Sequence, residues 1–239
     1  MISPTMVKII SHLPKGLVAS VSKKILNGYL KKYANIEVKG LENLKNIKKP
    51  ILFICNHLSN SDALVINHVL KDQDITFVAG IKLSHNPLTN LGISMTKTIT
   101  IKPNTADKDS ISNIIKTLKQ GNNILIFPEG TRSRVGSMIE GKKGVVLIQK
   151  LSRATVIPMS IFGSEKLLPI NEEGMDKEKF QYADVKITIG KALDIPKREE
   201  GEEKHHYEDR VLNYMMKNIA ALLPKKYQGV YKIDNRDNR

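Results

Sequence analysis

The chain has 239 residues, with 38 Lys and Arg against 24 Asp and Glu, for a formal net charge of +14. This length suits one globular domain with a substantial core, and 41% hydrophobic with 26% charged residues excludes wholesale disorder, collagen-like repetition and a coiled-coil rod. A single cysteine, Cys55, excludes an internal disulfide framework and a multi-cysteine zinc site, and a reducing compartment is the simplest inference.

The basic balance calls for an anionic partner: nucleic acid, a membrane or a phosphorylated substrate. Residues 1–33 hold Lys8, Lys15, Lys23, Lys24, Lys31 and Lys32 without one Asp or Glu, so six of the fourteen excess charges lie there. The pattern predicts helices over 5–12 and 16–33, separated around Pro14 and Gly16. In the second, Leu17, Val21, Ile25 and Tyr29 recur every four residues, joined by Val18, Leu26, Leu30 and Tyr33. Lysines flank this stripe, as in a helix lying in an anionic membrane interface with its lysine stems along the apolar boundary. An ordinary helix packed on the domain with solvated lysines has the same periodicity. No run of about 18 apolar residues predicts a transmembrane helix. Lys8, Pro14 and Lys15 interrupt the apolar stretch that a secretory signal would need.

From about residue 35 strands and helices alternate. Candidate strands are 51–56, 75–79, 98–102, 123–127, 155–162 and 184–189; candidate helices are 62–71, 107–119, 141–152 and 205–222. Asp107 and Ser110 offer a helix N-cap, and Gly121 a stop. Short apolar strands separated by helices predict an α/β sheet covered on both faces. The resulting organisation is a basic amphipathic element over 1–33, a main domain over 34–223, and a polar, basic tail over 224–239.

Two segments carry candidate chemistry, each directly after an apolar strand. The first is Asn56-His57-Leu58-Ser59-Asn60-Ser61-Asp62. His57 can act as a general base because imidazole titrates near neutral pH, and Asp62 can hold its tautomer and stabilise the imidazolium. On a regular helix five residues would leave the two side chains about 140° apart, so the pair requires a bend. Ser59, Asn60 and Ser61 supply turn chemistry for it. The same residues also fit a polar loop in which Asp62 caps the next helix. Cys55 suggests a nucleophile, but its place inside ILFICN suits a buried thiol better. His68, His85, His205 and His206 have no comparable surroundings.

The second segment is Phe127-Pro128-Glu129-Gly130-Thr131-Arg132-Ser133. Pro128 and Gly130 shape a tight turn, and Gly130 lets a ligand approach the backbone. Glu129 can accept from a substrate hydroxyl or position another side chain. Arg132 offers a planar fork for phosphate, with Thr131 and Ser133 as short hydroxyl donors. An internal Glu129–Arg132 ion pair is the structural alternative. The run from Gly136 to Lys143 nearly matches a nucleotide P-loop, but Lys143 stands where magnesium binding needs Ser or Thr. No metal-ligand cluster is found.

Together these segments resemble the 1-acyl-glycerol-3-phosphate acyltransferase family, within the glycerolipid acyltransferases. NHLSNSD matches its histidine–aspartate motif, FPEGTRS its second motif, and Val156-Ile157-Pro158-Met159 a later Val-Ile-Pro block. The resemblance covers roughly residues 35–190. It implies the glycerolphosphate acyltransferase fold: a central mixed, largely parallel sheet flanked by helices, here with an N-terminal amphipathic element. It also implies transfer of a fatty acyl group from acyl-CoA or acyl carrier protein to the sn-2 hydroxyl of lysophosphatidic acid, giving phosphatidic acid without a cofactor. His57 and Asp62 would be catalytic, and Glu129, Gly130, Thr131, Arg132 and Lys102 would bind substrate. At Thr100-Ile101-Lys102-Pro103 the family commonly has arginine, and Lys102 keeps its charge but not its bidentate fork. Gly80 and Lys82 stand where the family often has consecutive basic residues. An anionic membrane surface is the expected partner, with the protein peripheral or monotopic on its cytoplasmic face. Nucleic acid is not expected, since Trp is absent and aromatics are 5%. Other glycerolipid acceptors, or a non-catalytic membrane-binding relative, are the alternatives.

Overall fold

A computed structural model of the chain describes residues 15–80, 96–102, 107–174 and 177–232. The helix expected over 5–12, Lys82, His85 and the tail beyond 232 lie outside the described residues.

Seven strands form one sheet in the order β1-β7-β6-β2-β5-β3-β4. They are β1 (Ala34–Lys39), β2 (Ile51–Cys55), β3 (Ile75–Gly80), β4 (Lys97–Ile101), β5 (Asn123–Ile126), β6 (Thr155–Phe162) and β7 (Ala183–Ile189). Every neighbouring pair is parallel except β6 with β7. The sheet is therefore mixed and largely parallel. All residues of β2 and β5 are buried, as continuous apolar runs require when both faces are covered.

The helices are α1 (Lys15–Tyr33), α2 (Asp62–Val69), α3 (Lys108–Lys119), α4 (Gly144–Ser152), the short α5 (Ser164–Leu167) and α6 (Lys204–Ala220). Connection handedness explains their sides. The β2–α2–β3 crossover passes over β5 in one direction, while β4–α3–β5 and β5–α4–β6 step in the other. Right-handed crossovers in opposite directions place their helices on opposite faces. Accordingly α3, α4 and α6 pack with Leu52, Ile54 and Ile124. The other face joins Leu26 and Leu30 of α1 and Val65 and Ile66 of α2 to Ile51, Phe53 and Cys55. The alternation along β2 assigns its side chains to the two layers in turn.

Most elements lie within two residues of their sequence-based bounds; the differences include the short α5, which was not expected, and the first part of the expected tail, where Tyr227 and Gln228 are buried. The edge strand β1 was not expected; its alternating half-buried and exposed residues lack a continuous apolar run. The helix expected over 141–152 begins at Gly144, because the Lys142 amide donates to Pro128 O at 2.8 Å and belongs to the preceding turn. In α1 the buried line is Ser22, Leu26 and Leu30, while Leu17 is 53% exposed and Val21, Ile25 and Tyr29 are half-buried. Packing onto the sheet chooses that line. Tyr29 and Tyr33 beside it lie against Phe180, with ring centroids 5.3 and 6.4 Å apart. The expected Asp107 cap forms, accepting from Ser110 N at 3.1 Å.

Candidate active site

Both motif segments leave adjacent parallel strands at one sheet edge. Leu52 lies opposite Ile124 and Ile54 opposite Ile126, so β2 and β5 deliver residues 56–62 and 127–133 side by side. The carboxyl ends of parallel strands are where open α/β sheets gather their binding loops.

His57 follows β2 by two residues, and its Nδ1 lies 2.8 Å from Asp62 Oδ2. The same oxygen accepts from the amides of Leu58 at 2.8 Å and Ser59 at 2.9 Å. The Asp62 amide in turn donates to Ser59 O at 3.1 Å, closing the turn that the five-residue spacing required. Asp62 is fully buried at the first position of α2, and its Oδ1 has no hydrogen-bond partner among the described residues. A carboxylate accepting from Nδ1–H puts the lone pair of the neutral ring on Nε2. The His57 side chain is 19% exposed, and its ring stacks on Phe127 with centroids 4.2 Å apart and 14° between planes. Phe127, the first residue after β5, therefore sets the plane of the imidazole.

Glu129 is 1% exposed and joins the two loops. Its Oε1 accepts from the His57 amide at 2.8 Å and its Oε2 from the Ile139 amide at 2.9 Å. The Ser133 amide donates to His57 O at 2.8 Å, so the His57 backbone is held from both sides. Burial pushes the Glu129 carboxyl up to about 7; the Asp62 charge adds to this, while the two amide donors pull it down. With both oxygens on backbone amides, Glu129 braces the loops. Of the two roles expected for Glu129, accepting from a substrate hydroxyl or positioning another residue, this arrangement fits the second. The internal Glu129–Arg132 ion pair does not form.

Arg132 is instead paired with a residue that carried no sequence signal. Its Nη1 lies 2.7 Å from Glu178 Oε1, and Glu178 Oε2 accepts from Asn60 Nδ2 at 2.8 Å. Gly130 and Thr131 are exposed beside Arg132. Ser133 is buried, its hydroxyl donating to Ser137 O at 2.6 Å. Lys102 is exposed one residue past β4, on the same sheet edge. Two strand spacings separate β4 from β5, roughly 10 Å. Its amide donates to Asp107 Oδ2 at 2.9 Å.

Cys55 is fully buried, and burial, followed by the charges of Asp62 and Glu129, pushes its thiol well above the usual range. A thiol that does not ionise is not a nucleophile. His68 is exposed and bonds Asn27 Oδ1 at 3.0 Å, while His205 and His206 lie against each other at the start of α6.

Residues 35–162, more than half of the chain, match the Acyltransferase family. The chain is 26% identical over 163 residues to the chloroplastic 1-acyl-sn-glycerol-3-phosphate acyltransferase of Arabidopsis thaliana, covering 67% of this chain and 44% of that protein. It is 30% identical over 158 residues to the probable 1-acyl-sn-glycerol-3-phosphate acyltransferase of Mycoplasma genitalium, covering 61% of this chain and 57% of that one. It thus spans about half the length of these curated relatives. The fold is similar to the crystal structure of the 1-acyl-sn-glycerophosphate acyltransferase PlsC of Thermotoga maritima. That match has a TM-score of 0.61 and 22% identity, over 87% of this chain and 80% of that one.

Proposed function

The chain belongs to the acyltransferase family, and from that premise we propose that it transfers a fatty acyl group from acyl-CoA or acyl carrier protein to the sn-2 hydroxyl of lysophosphatidic acid, giving phosphatidic acid. The observation that carries this reading is the His57–Asp62 pair at 2.8 Å, beside a loop whose arginine is tied to the same turn. The names of the relatives supply the acceptor class.

In the proposed reaction His57 Nε2 takes the hydroxyl proton as the oxygen attacks the thioester carbonyl. Collapse of the tetrahedral adduct breaks the C–S bond, and the departing thiolate recovers the proton from the imidazolium. Asp62 keeps Nδ1–H directed inward and stabilises the positive ring. The transfer is direct. Cys55 is buried, and the hydroxyls of Ser59 and Ser61 are buried and share a 3.0 Å contact, which supports a route without acyl-enzyme. The step as written needs no metal or cofactor, the acyl carrier being a co-substrate. Arg132 contacts the acceptor phosphate through guanidinium donors other than the Nη1 held by Glu178, with Gly130, Thr131 and Lys102 on the same side.

The test is turnover by the purified protein with lysophosphatidic acid and a panel of thioesters. His57→Ala should fold normally and lose about 10²–10⁴-fold in kcat. Near-normal turnover by that variant would overturn the base. Turnover with a different acceptor alone would keep the base and replace the acceptor.

The setting we propose is peripheral or monotopic attachment to the cytoplasmic face of an anionic membrane. Lys23, Lys24, Lys31 and Lys32 are exposed on α1, and among the described residues no helix is long and apolar enough to cross a membrane. Leu26 and Leu30 belong to the core, so truncating α1 would confound a test of binding. Reversing these four lysines to glutamate should weaken binding to vesicles containing anionic lipid at least tenfold, each lysine contributing about 1 kcal/mol near such a surface. Unchanged binding would leave α1 a packing element.

A further inference from the structure

Glu178 belongs to neither motif, yet both meet on it. It precedes β7, and its side chain is 2% exposed. Among the described residues each carboxylate oxygen has one partner: Oε1 takes Arg132 Nη1 at 2.7 Å, and Oε2 takes Asn60 Nδ2 at 2.8 Å. Arg132 lies in the loop after β5, and its side chain is 12% exposed. Asn60 lies between His57 and Asp62, inside the turn that forms their pair. One buried carboxylate therefore ties the arginine to the loop that carries the base.

We propose that Glu178 is a positioning residue that sets the distance between the acceptor's phosphate and the hydroxyl presented to His57, and thereby the position that is acylated. This rests on the reading of Arg132 as the phosphate contact. The chemistry favours a retained clamp over a displaced one. A guanidinium has five donors in a rigid fork, so one contact through Nη1 restrains where it can point and leaves other donors for phosphate. If phosphate displaced Glu178, a carboxylate with almost no exposure would lose its cation in a desolvated place, which is costly. Glu178 therefore stays, and phosphate binds to an arginine already aimed. With the arginine fixed relative to the base, only a hydroxyl at one separation from the phosphate comes within reach of Nε2. A geometric restraint of this kind is felt in acceptor binding and in which hydroxyl reacts, and hardly at all in donor binding.

The experiment compares wild type, Glu178→Gln and Asn60→Ala. Glu178→Gln keeps the shape but removes the charge and turns a donor toward one of its two partners. Asn60→Ala releases the base loop and leaves the ion pair with Arg132 in place, which guards against a variant that does not fold. Thermal melts establish folding. Loss of a charge-assisted hydrogen bond predicts an acceptor KM raised on the order of tenfold in Glu178→Gln, with the donor KM within twofold. Using glycerol phosphates acylated at sn-1 or sn-2, both variants should transfer to the wrong hydroxyl at least threefold more often than wild type. Equal changes in both KM values with unaltered positional selectivity would reduce Glu178 to a structural brace and overturn the proposal. Hydrogen exchange provides an arm independent of turnover. Amides in 57–62 and 130–134 should both exchange faster in Glu178→Gln, and acceleration in one segment alone would refute the clamp. If wild type acylates no lysophosphatidic acid, the functional reading fails, while the exchange arm still decides whether Glu178 couples the loops.

Discussion

Residues 56–62 and 127–133 sit side by side on one sheet edge and are held in opposite ways. At its dyad the first segment closes on itself, since Asp62 Oδ2 gathers the His57 ring and the amides of Leu58 and Ser59, all within five positions, while Asn56, Asn60 and the His57 backbone anchor it to the fold. The second reaches outward. Glu129 bonds His57 and Ile139, Arg132 bonds Glu178, and the stem of Lys142 crosses Gly130. A local network can preform the dyad wherever the chain turns. A distributed one places that dyad relative to everything else in the site. The hydrogen bond that makes the dyad is thus a property of a heptapeptide, whereas the plane of its imidazole and the geometry of the acceptor side are properties of the fold.

The largest expected effect tests the self-contained loop. Asp62→Ala leaves two buried amides and the His57 ring without their common acceptor. Unsatisfied buried donors cost about 1–3 kcal/mol each, so the variant should lose more than about 3 kcal/mol in urea unfolding. Asp62→Asn should behave differently. Its carbonyl oxygen can keep all three donors, and its amino group replaces an Oδ1 that has no partner among the described residues, so one unsatisfied polar atom is exchanged for another. Stability should fall by less than about 1 kcal/mol, while kcat drops about ten- to a hundredfold because the imidazolium loses its counter-charge. Equal destabilisation by both substitutions would show that the loop is not held chiefly by that one oxygen.

The distributed loop has a different signature, a pH-dependent one. Glu129 titrates at about 7 in the folded protein, raised from 4.5 chiefly by burial. Between those values the folded state binds a proton that the unfolded state releases. The resulting stability is fully present below about pH 4.5 and is lost as pH rises through 7. Glu129→Gln removes this dependence. The stability advantage of wild type over that variant should shrink by about 2–3 kcal/mol from pH 5 to pH 8, measured by urea unfolding. A constant difference across that range would mean that Glu129 stays ionised, its two amide donors outweighing burial.

How much could be read in advance follows the same division. Strands such as 155–162 announce themselves as apolar runs, and the helix–sheet alternation suffices for the α/β class. The His57–Asp62 pair was legible because its partners and its turn residues share one short segment. Glu178 was not, since nothing in the residues around it marks it as the partner of an arginine 46 positions earlier. The role of Glu129 was half legible: a carboxylate in a turn announces an acceptor, but the amide of Ile139 meets it only after the chain folds back. The edge strand β1 escaped for a related reason. It is specified by pairing with β7, almost 150 residues later, and not by its own hydrophobicity.

Gly130 gives the smallest effect and the finest test of the contrast. Its φ of +70° is left-handed, and a Cβ there would lie 3.1 Å from both Cδ and Cε of Lys142. Two costs are therefore combined in Gly130→Ala. The backbone cost belongs to the turn itself, about 1 kcal/mol for an alanine in this region. The contact cost belongs to the distant lysine, whose flexible stem can shift at an expense of a few tenths of a kcal/mol. Gly130→Ala should then cost about 1–1.5 kcal/mol in chemical unfolding, and a Lys142→Ala background should relieve less than half of it. If that background relieved most of the cost, Lys142 would be a rigid member of the site, and the turn at Gly130 would be held from outside as firmly as Glu129 and Arg132 are.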